Sequence, residues 1–174
     1  MPFSKPKIKQ ILFATDLSEN ANRAFTYATS LADAYSAVVT VLHVVEKMPP
    51  NAEILISAFL GYRDLEEYRG KTEAELIERI KTRIEHFCSE AADKITECTF
   101  ILQKVVVEPG IASKRILHHA ATGTYDALVM GCRGHGIIQE ALFGGTTHKV
   151  LRECKIPVLL VPLQLHGKEE NPSA

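Results

Sequence analysis

A chain of 174 residues, 46% hydrophobic and 24% charged, is long enough to bury a core and too short for two full domains. Its 20 Lys+Arg against 21 Asp+Glu leave a net charge of -1, without the basic footprint of a general nucleic-acid binder. No apolar run approaches the roughly 20 residues that span a bilayer, and Met1 to Lys7 lacks a signal peptide's apolar stretch, so a soluble cytoplasmic protein with no membrane or nucleic-acid partner is expected.

Along the chain, Ile8 to Ala14 is a short apolar run with two polar interruptions, suited to a buried strand. Ser18 and Glu19 open a helix whose apolar face is Ala21, Ala24, Phe25, Ala28, Leu31, Ala32 and Tyr35. Ala37 to Val45 is β-branched and almost continuously apolar, like a central strand of a parallel sheet. An irregular insert follows at about 47–71; Pro49-Pro50 stops the strand, Ile54 to Leu60 has the pattern of a helical turn, and Glu66 to Glu75 reads as a solvated stretch.

Thr72 and Glu75 make a capping box ahead of a stripe of Leu76, Ile77, Ile80, Ile84, Phe87, Cys88 and Ala91, a second long helix. Thr99 to Val107 is a third strand, and Pro109-Gly110 turns it into a shorter helix carrying Ile116, Leu117 and Ala120. Ala127 to Met130 is a fourth strand. Thr146 to Cys154 then reads as a helix with Val150 and Leu151 inward, and Ile156 to Val161 as a fifth strand, flanked by Pro157 and Pro162, which favour a strand's ends or an edge position. Strict alternation predicts an α/β fold, an open parallel sheet with helices on both faces. A single domain over 1–165 and a flexible tail over 166–174 complete the organisation.

Cysteines stand at 88, 98, 132 and 154 with no C-x-x-C pair, the pattern of reduced thiols. His118, His119, His148 and Cys132 do not make a metal site, because adjacent histidines on a helix point about 100° apart. His43 reads as a packed core histidine, and Asp126 as an ordinary residue before a strand.

Ligands of open α/β sheets bind beyond the carboxyl ends of the strands. After the fourth strand come Gly131, Gly134 and Gly136, and Gly144-Gly145 directly precede a helix. Such glycines let backbone N–H groups converge on an anion, and a helix N-terminus adds favourable partial charge; plain turn chemistry is the alternative. Gly144-Gly145-Thr146-Thr147 is not the G-K-[ST] of a Walker A loop, and no G-x-G-x-x-G follows the first strand.

The segment Gly131-Cys132-Arg133-Gly134, nine residues His135 to Phe143, Gly144-Gly145, and then Pro157-Val158-Leu159-Leu160-Val161 resembles the G-x2-G-x9-G-[ST] and P-V-x-x-V signature of the universal stress protein family. The opening I-L-F-A-T-D-L-S-E and the later V-L-H-V-V agree with it. The resemblance implies a five-stranded Rossmann-like α/β domain, a homodimer joined through the last strand (157–161), and, in one branch, bound ATP. By that similarity Asp16 sits at the ribose; Ala14, Thr15 and the main chain of Val44 line the adenine pocket with Met130 nearby; and Gly131, Gly134, Gly144, Gly145 and Thr146 hold the phosphates. Gly145 departs from the pattern, which carries Ser or Thr there. One hydroxyl donor is lost while the N–H remains, and Thr146 or Thr147 is placed to compensate. Arg133 and His135 lie in the loop, within reach of a terminal phosphate or in solvent. The function expected is a non-catalytic or very slowly hydrolysing adenine-nucleotide (ATP, ADP or AMP) sensor of stress, Mg²⁺ accompanying a triphosphate. The alternatives are a nucleotide-free interaction module and an enzyme of the ATP pyrophosphatase or nucleotidyl transferase kind. The enzyme needs an S-G-G-x-D-S or H-I-G-H motif that Ala14 to Glu19 does not supply.

Overall fold

The computed structural model of the chain describes residues 6–46, 54, 57–58, 60–94, 101–132 and 144–162. The elements run β1 (Gln10–Thr15), α1 (Glu19–Tyr35), β2 (Val38–Val45), α2 (Leu65–Arg69), α3 (Glu73–Lys94), β3 (Ile101–Pro109), α4 (Ala112–Thr122), β4 (Ala127–Gly131), α5 (Gly145–Glu153) and β5 (Val158–Val161). The strands form one five-stranded sheet in the order β3-β2-β1-β4-β5, every pair parallel. The expected α/β class is what the chain adopts.

Each face of the sheet carries its own core. On one side Ile11, Phe13, Val39 and Val41 meet Ala24, Phe25 and Ala28 of α1 and Ile80, Ile84 and Cys88 of α3. On the other, Leu12, Leu42 and Leu128 meet Ile116 of α4 and Val150 of α5. Apolar residues alternate between the two cores along β1 and β2 because successive strand side chains point to opposite faces. Both faces are covered, so the strands read as continuous apolar runs.

The caps explain where the helices begin and end. Ser18 accepts the Ala21 N–H to open α1, and Ser36, at φ 49°, closes it with its N–H on the Ala32 and Asp33 carbonyls. The Thr72 and Glu75 box is fully made: the Thr72 N–H donates to Glu75 Oε2 at 2.8 Å and the Glu75 N–H to Thr72 Oγ1 at 3.3 Å. The Thr72 N–H bond holds the Glu75 carboxyl below its ordinary pKa.

Several expected boundaries shift for identifiable physical reasons. β1 starts at Gln10 rather than Ile8 because Asp126 Oδ2 accepts both the Lys9 and Gln10 N–H groups, at 2.7 and 2.9 Å, pinning the chain before the ladder begins. β3 runs on to Pro109, which an edge strand tolerates; residues 99 and 100 lie outside those described. β5 is likewise an edge strand but starts only at Val158. The stretch before α3 is not merely solvated: Leu65–Arg69 is a helix, nucleated by Asp64, whose carboxylate accepts the Glu67 N–H. Of the expected turn, Ile54, Ser57 and Ala58 are helical. Leu151 does not face inward; it is 42% exposed while Val150 is buried, since consecutive helix positions diverge by about 100°. The tail at 166–174 lies outside the described residues.

Among the described residues no helix is long and apolar enough to cross a membrane. Cys88, Cys132 and Cys154 are free thiols. Burial pushes the Cys88 thiol up to about 12, with Glu85 adding to the rise.

Candidate functional site

The strand order reverses at β1: its α1 connection leads to β2 on one side, whereas β4 and β5 lie on the other. The crevice that such a reversal opens at the carboxyl ends of β1 and β4 is where doubly wound sheets take their ligands. Ala14 pairs with Met130 across these strands. Thr15 and Asp16 therefore leave the sheet beside Gly131 and Cys132.

The β1 exit is a tight, hydrogen-bonded turn. The Leu17 N–H donates to Thr15 Oγ1 at 3.1 Å, and Asp16 Oδ1 accepts from both the N–H and the hydroxyl of Ser18, at 3.1 and 2.7 Å. Leu17 adopts φ 63°, a left-handed conformation uncommon for a bulky residue. His43 braces the turn from β2, its Nδ1 2.9 Å from the Thr15 carbonyl oxygen. It is buried, as the sequence suggests for a core histidine.

The β4 exit is tied to α5. The Gly144 N–H donates to the Cys132 carbonyl at 3.1 Å, and the Thr147 hydroxyl points back to the Gly131 carbonyl at 3.4 Å. These contacts hold the first turn of α5 over the end of β4. Gly144 occupies the N-cap, and among the described residues no side-chain cap bond is made there. An α-helix leaves its first N–H groups without intrahelical partners, and the Gly144 bond sets this first turn at the end of β4. Gly145 is exposed, and a Cβ placed on it meets no atom of the described residues within 4 Å.

The predicted residues thus take distinct positions. Ala14, Val44 and Met130 belong to the core under α4 and α5 and are 7%, 9% and 5% exposed; they stand at the carboxyl ends of three adjacent strands. Thr15, Asp16, Gly131, Gly144 and Thr146 are half-buried around the crevice. Thr147 is 3% exposed, and with its hydroxyl turned to Gly131 it does not replace the hydroxyl missing at Gly145; only its N–H is left for an anion. Arg133, Gly134 and His135 lie outside the described residues.

Acidic groups at the ends of β2 and β3 serve the scaffold. Glu46 Oε1 accepts the Ala112 N–H at 2.6 Å and so caps α4 from a neighbouring strand. Glu108 Oε1 meets His119 Nε2 at 3.1 Å and Arg115 Nε at 3.8 Å. A separate groove of about 790 Å³ lies between α1 and α3; it shares Thr15 with the crevice but none of the glycines.

Ser18 and Leu17 are the parts of the site that the sequence reading leaves unassigned. An Asp-x-Ser triplet before a helix signals the Ser18 cap and its proximity to Asp16. Nothing in the residue types signals the left-handed Leu17.

The same fold recurs in known proteins. Universal stress protein MJ0577 of Methanocaldococcus jannaschii is 27% identical over 157 residues, 88% of this chain and 94% of that one, and its solved structure superposes with a TM-score of 0.67 over 91% of this chain and 99% of that chain. A universal stress protein in complex with cAMP gives a TM-score of 0.51 at 23% identity, covering 90% of this chain and 98% of that one. A universal stress protein family protein of Arabidopsis thaliana with AMP bound gives 0.56 at 12% identity, covering 94% and 97%. The family model described as "Universal stress protein family" matches residues 7–162, from before β1 to the end of β5, so the chain belongs to the universal stress protein family.

Proposed function

We propose that this chain is an adenine-nucleotide-binding universal stress protein that works by occupancy rather than turnover. The observation that carries the reading is the first turn of α5, glycine at its N-cap and first position with no side-chain cap among the described residues, fastened to the end of β4 next to β1, where the strand order reverses. A helix N-terminus favours anions, and glycine lets a phosphate approach the backbone closely. Neighbours of this fold carry cAMP and AMP, which favours an adenosine phosphate as the ligand. In this assignment Asp16 accepts from the ribose hydroxyls, the strand ends at Ala14, Val44 and Met130 flank the base, and the N–H groups of Gly145, Thr146 and Thr147 receive phosphate oxygens. ATP is the proposed resident, with Mg²⁺ as companion of its triphosphate.

The protein acts as a cytoplasmic stress-linked regulator and pairs as a homodimer through the edge of β5, where Leu159 is 37% exposed. Occupancy supplies the signal: a ligand that binds only the folded chain stabilises it by about 2.7 kcal/mol at a hundredfold excess over Kd.

The test is to denature freshly purified protein, identify released nucleotide by chromatography, and titrate AMP and ATP, with and without Mg²⁺, against thermal unfolding. Release of nucleotide, or a rise in Tm of about 5 to 10 °C at saturation, is expected. Absence of both effects would leave a nucleotide-free interaction module of the same fold, in which the hydroxyl missing at Gly145 marks a lost pocket.

A further inference from the structure

Ser18 sits where two jobs meet. Its hydroxyl accepts the Ala21 N–H at 3.3 Å as the N-cap of α1 and donates to Asp16 Oδ1 at 2.7 Å. Its own N–H reaches that same oxygen at 3.1 Å, and the residue is 8% exposed. An exposed aspartate on a loop samples several rotamers, and binding through it costs the entropy of choosing one. Here Oδ1 is clamped by two donors from one residue, which sets the plane of the carboxylate and the direction of Oδ2.

The clamp depends on the turn before it. A left-handed Leu17, held by its N–H on Thr15 Oγ1 and by packing of its side chain against the α1 core, brings Ser18 back toward Asp16. A hydroxyl is the smallest group that donates to the carboxylate while accepting from the helix; an aspartate at this position would cap α1 but offer Asp16 no side-chain donor.

We infer that Ser18 is a positioning residue for the nucleotide, presetting the Asp16 carboxylate for the ribose hydroxyls and coupling that orientation to the start of α1. The inference rests on the proposed placement of the ribose at Asp16. Loss of the clamp weakens binding only where the ribose hydroxyls take part.

The experiment compares ATP with 2′,3′-dideoxy-ATP in the full-length wild type, Ser18→Gly and Ser18→Thr by calorimetry. Glycine serves as the test variant because at an N-cap it costs a helix much less than alanine does, so the fold is retained while the hydroxyl is lost. The expected result is a three- to tenfold loss of ATP affinity in Ser18→Gly, the range for ordering one side chain anew. Affinity for the dideoxy analogue stays unchanged, and Ser18→Thr restores the wild-type ratio. A Ser18→Gly variant that keeps the wild-type preference for ATP, or that loses both ligands equally, overturns the inference and reduces Ser18 to a helix cap. A wild type that binds both ligands equally removes the ribose from Asp16 and the inference with it, while nucleotide binding stands; a wild type that binds neither overturns the functional reading itself.

Discussion

Replacing Gly145 by serine tests whether the first turn of α5 holds phosphate. A Cβ at this position meets nothing within 4 Å among the described residues and the residue is the first of the helix, so serine is expected to enter without steric cost and slightly improves helix propensity. Its hydroxyl restores the donor that the ATP-binding pattern of the family carries. A hydrogen bond to a charged acceptor contributes about 1.5 to 3 kcal/mol. Gly145 is exposed, which places the gain at the lower end, about tenfold in Kd. Calorimetry with ATP and with adenosine, which has no phosphate, separates the contributions: Gly145→Ser tightens ATP about tenfold and leaves adenosine unchanged. Equal affinities of wild type and variant for ATP, or a parallel change for adenosine, would refute the placement of phosphate at α5.

Phe25 packs between Phe13 and Phe87 with tilted rings whose centroids lie 5.5 Å from its own; Phe25→Ala is expected to lower stability by about 3 to 5 kcal/mol in denaturant titration, with nucleotide affinity of the folded fraction retained. Cys88 makes stability fall at high pH. Its folded pKa, pushed up by burial to about 12, lies above the ordinary 9.0, so the thiol's contribution is expected to be complete below pH 9 and to be lost as pH rises toward 12, at roughly 1 kcal/mol per pH unit. Denaturation of wild type and Cys88→Ala across that range should converge by this amount, and parallel curves would contradict it. Leu159→Glu is expected to convert a dimer to monomer in sedimentation analysis without unfolding the chain. Val161 is unsuitable for that purpose, being 4% exposed within the core. A wild type that sediments as a monomer would remove β5 as an interface.

The order of strands and helices was legible in the sequence because each element carries its own period. The apolar stripe from Ala21 to Tyr35, the capping box at Thr72 and Glu75, and the proline-flanked Val158 to Val161 are local signals that local physics obeys. The glycines at 131, 144 and 145 likewise announce a backbone built for close approach. Tertiary contacts decided the rest. Asp126 begins β1 at Gln10 through bonds spanning 116 and 117 residues, and Glu46 caps α4 from 66 residues away; no window on the sequence contains both partners. Thr147 and Leu151 illustrate the same limit at the side-chain level. Residue type made the first a phosphate donor and the second a core residue, whereas the seat of α5 on the sheet turned the Thr147 hydroxyl to Gly131 and left Leu151 exposed. Composition and periodicity determine which segments must bury a face. The meeting of Asp16, Ser18 and the start of α5 at one crevice exists only once the strand order β3-β2-β1-β4-β5 is formed, because it is the reversal at β1 that sets the two strand exits side by side.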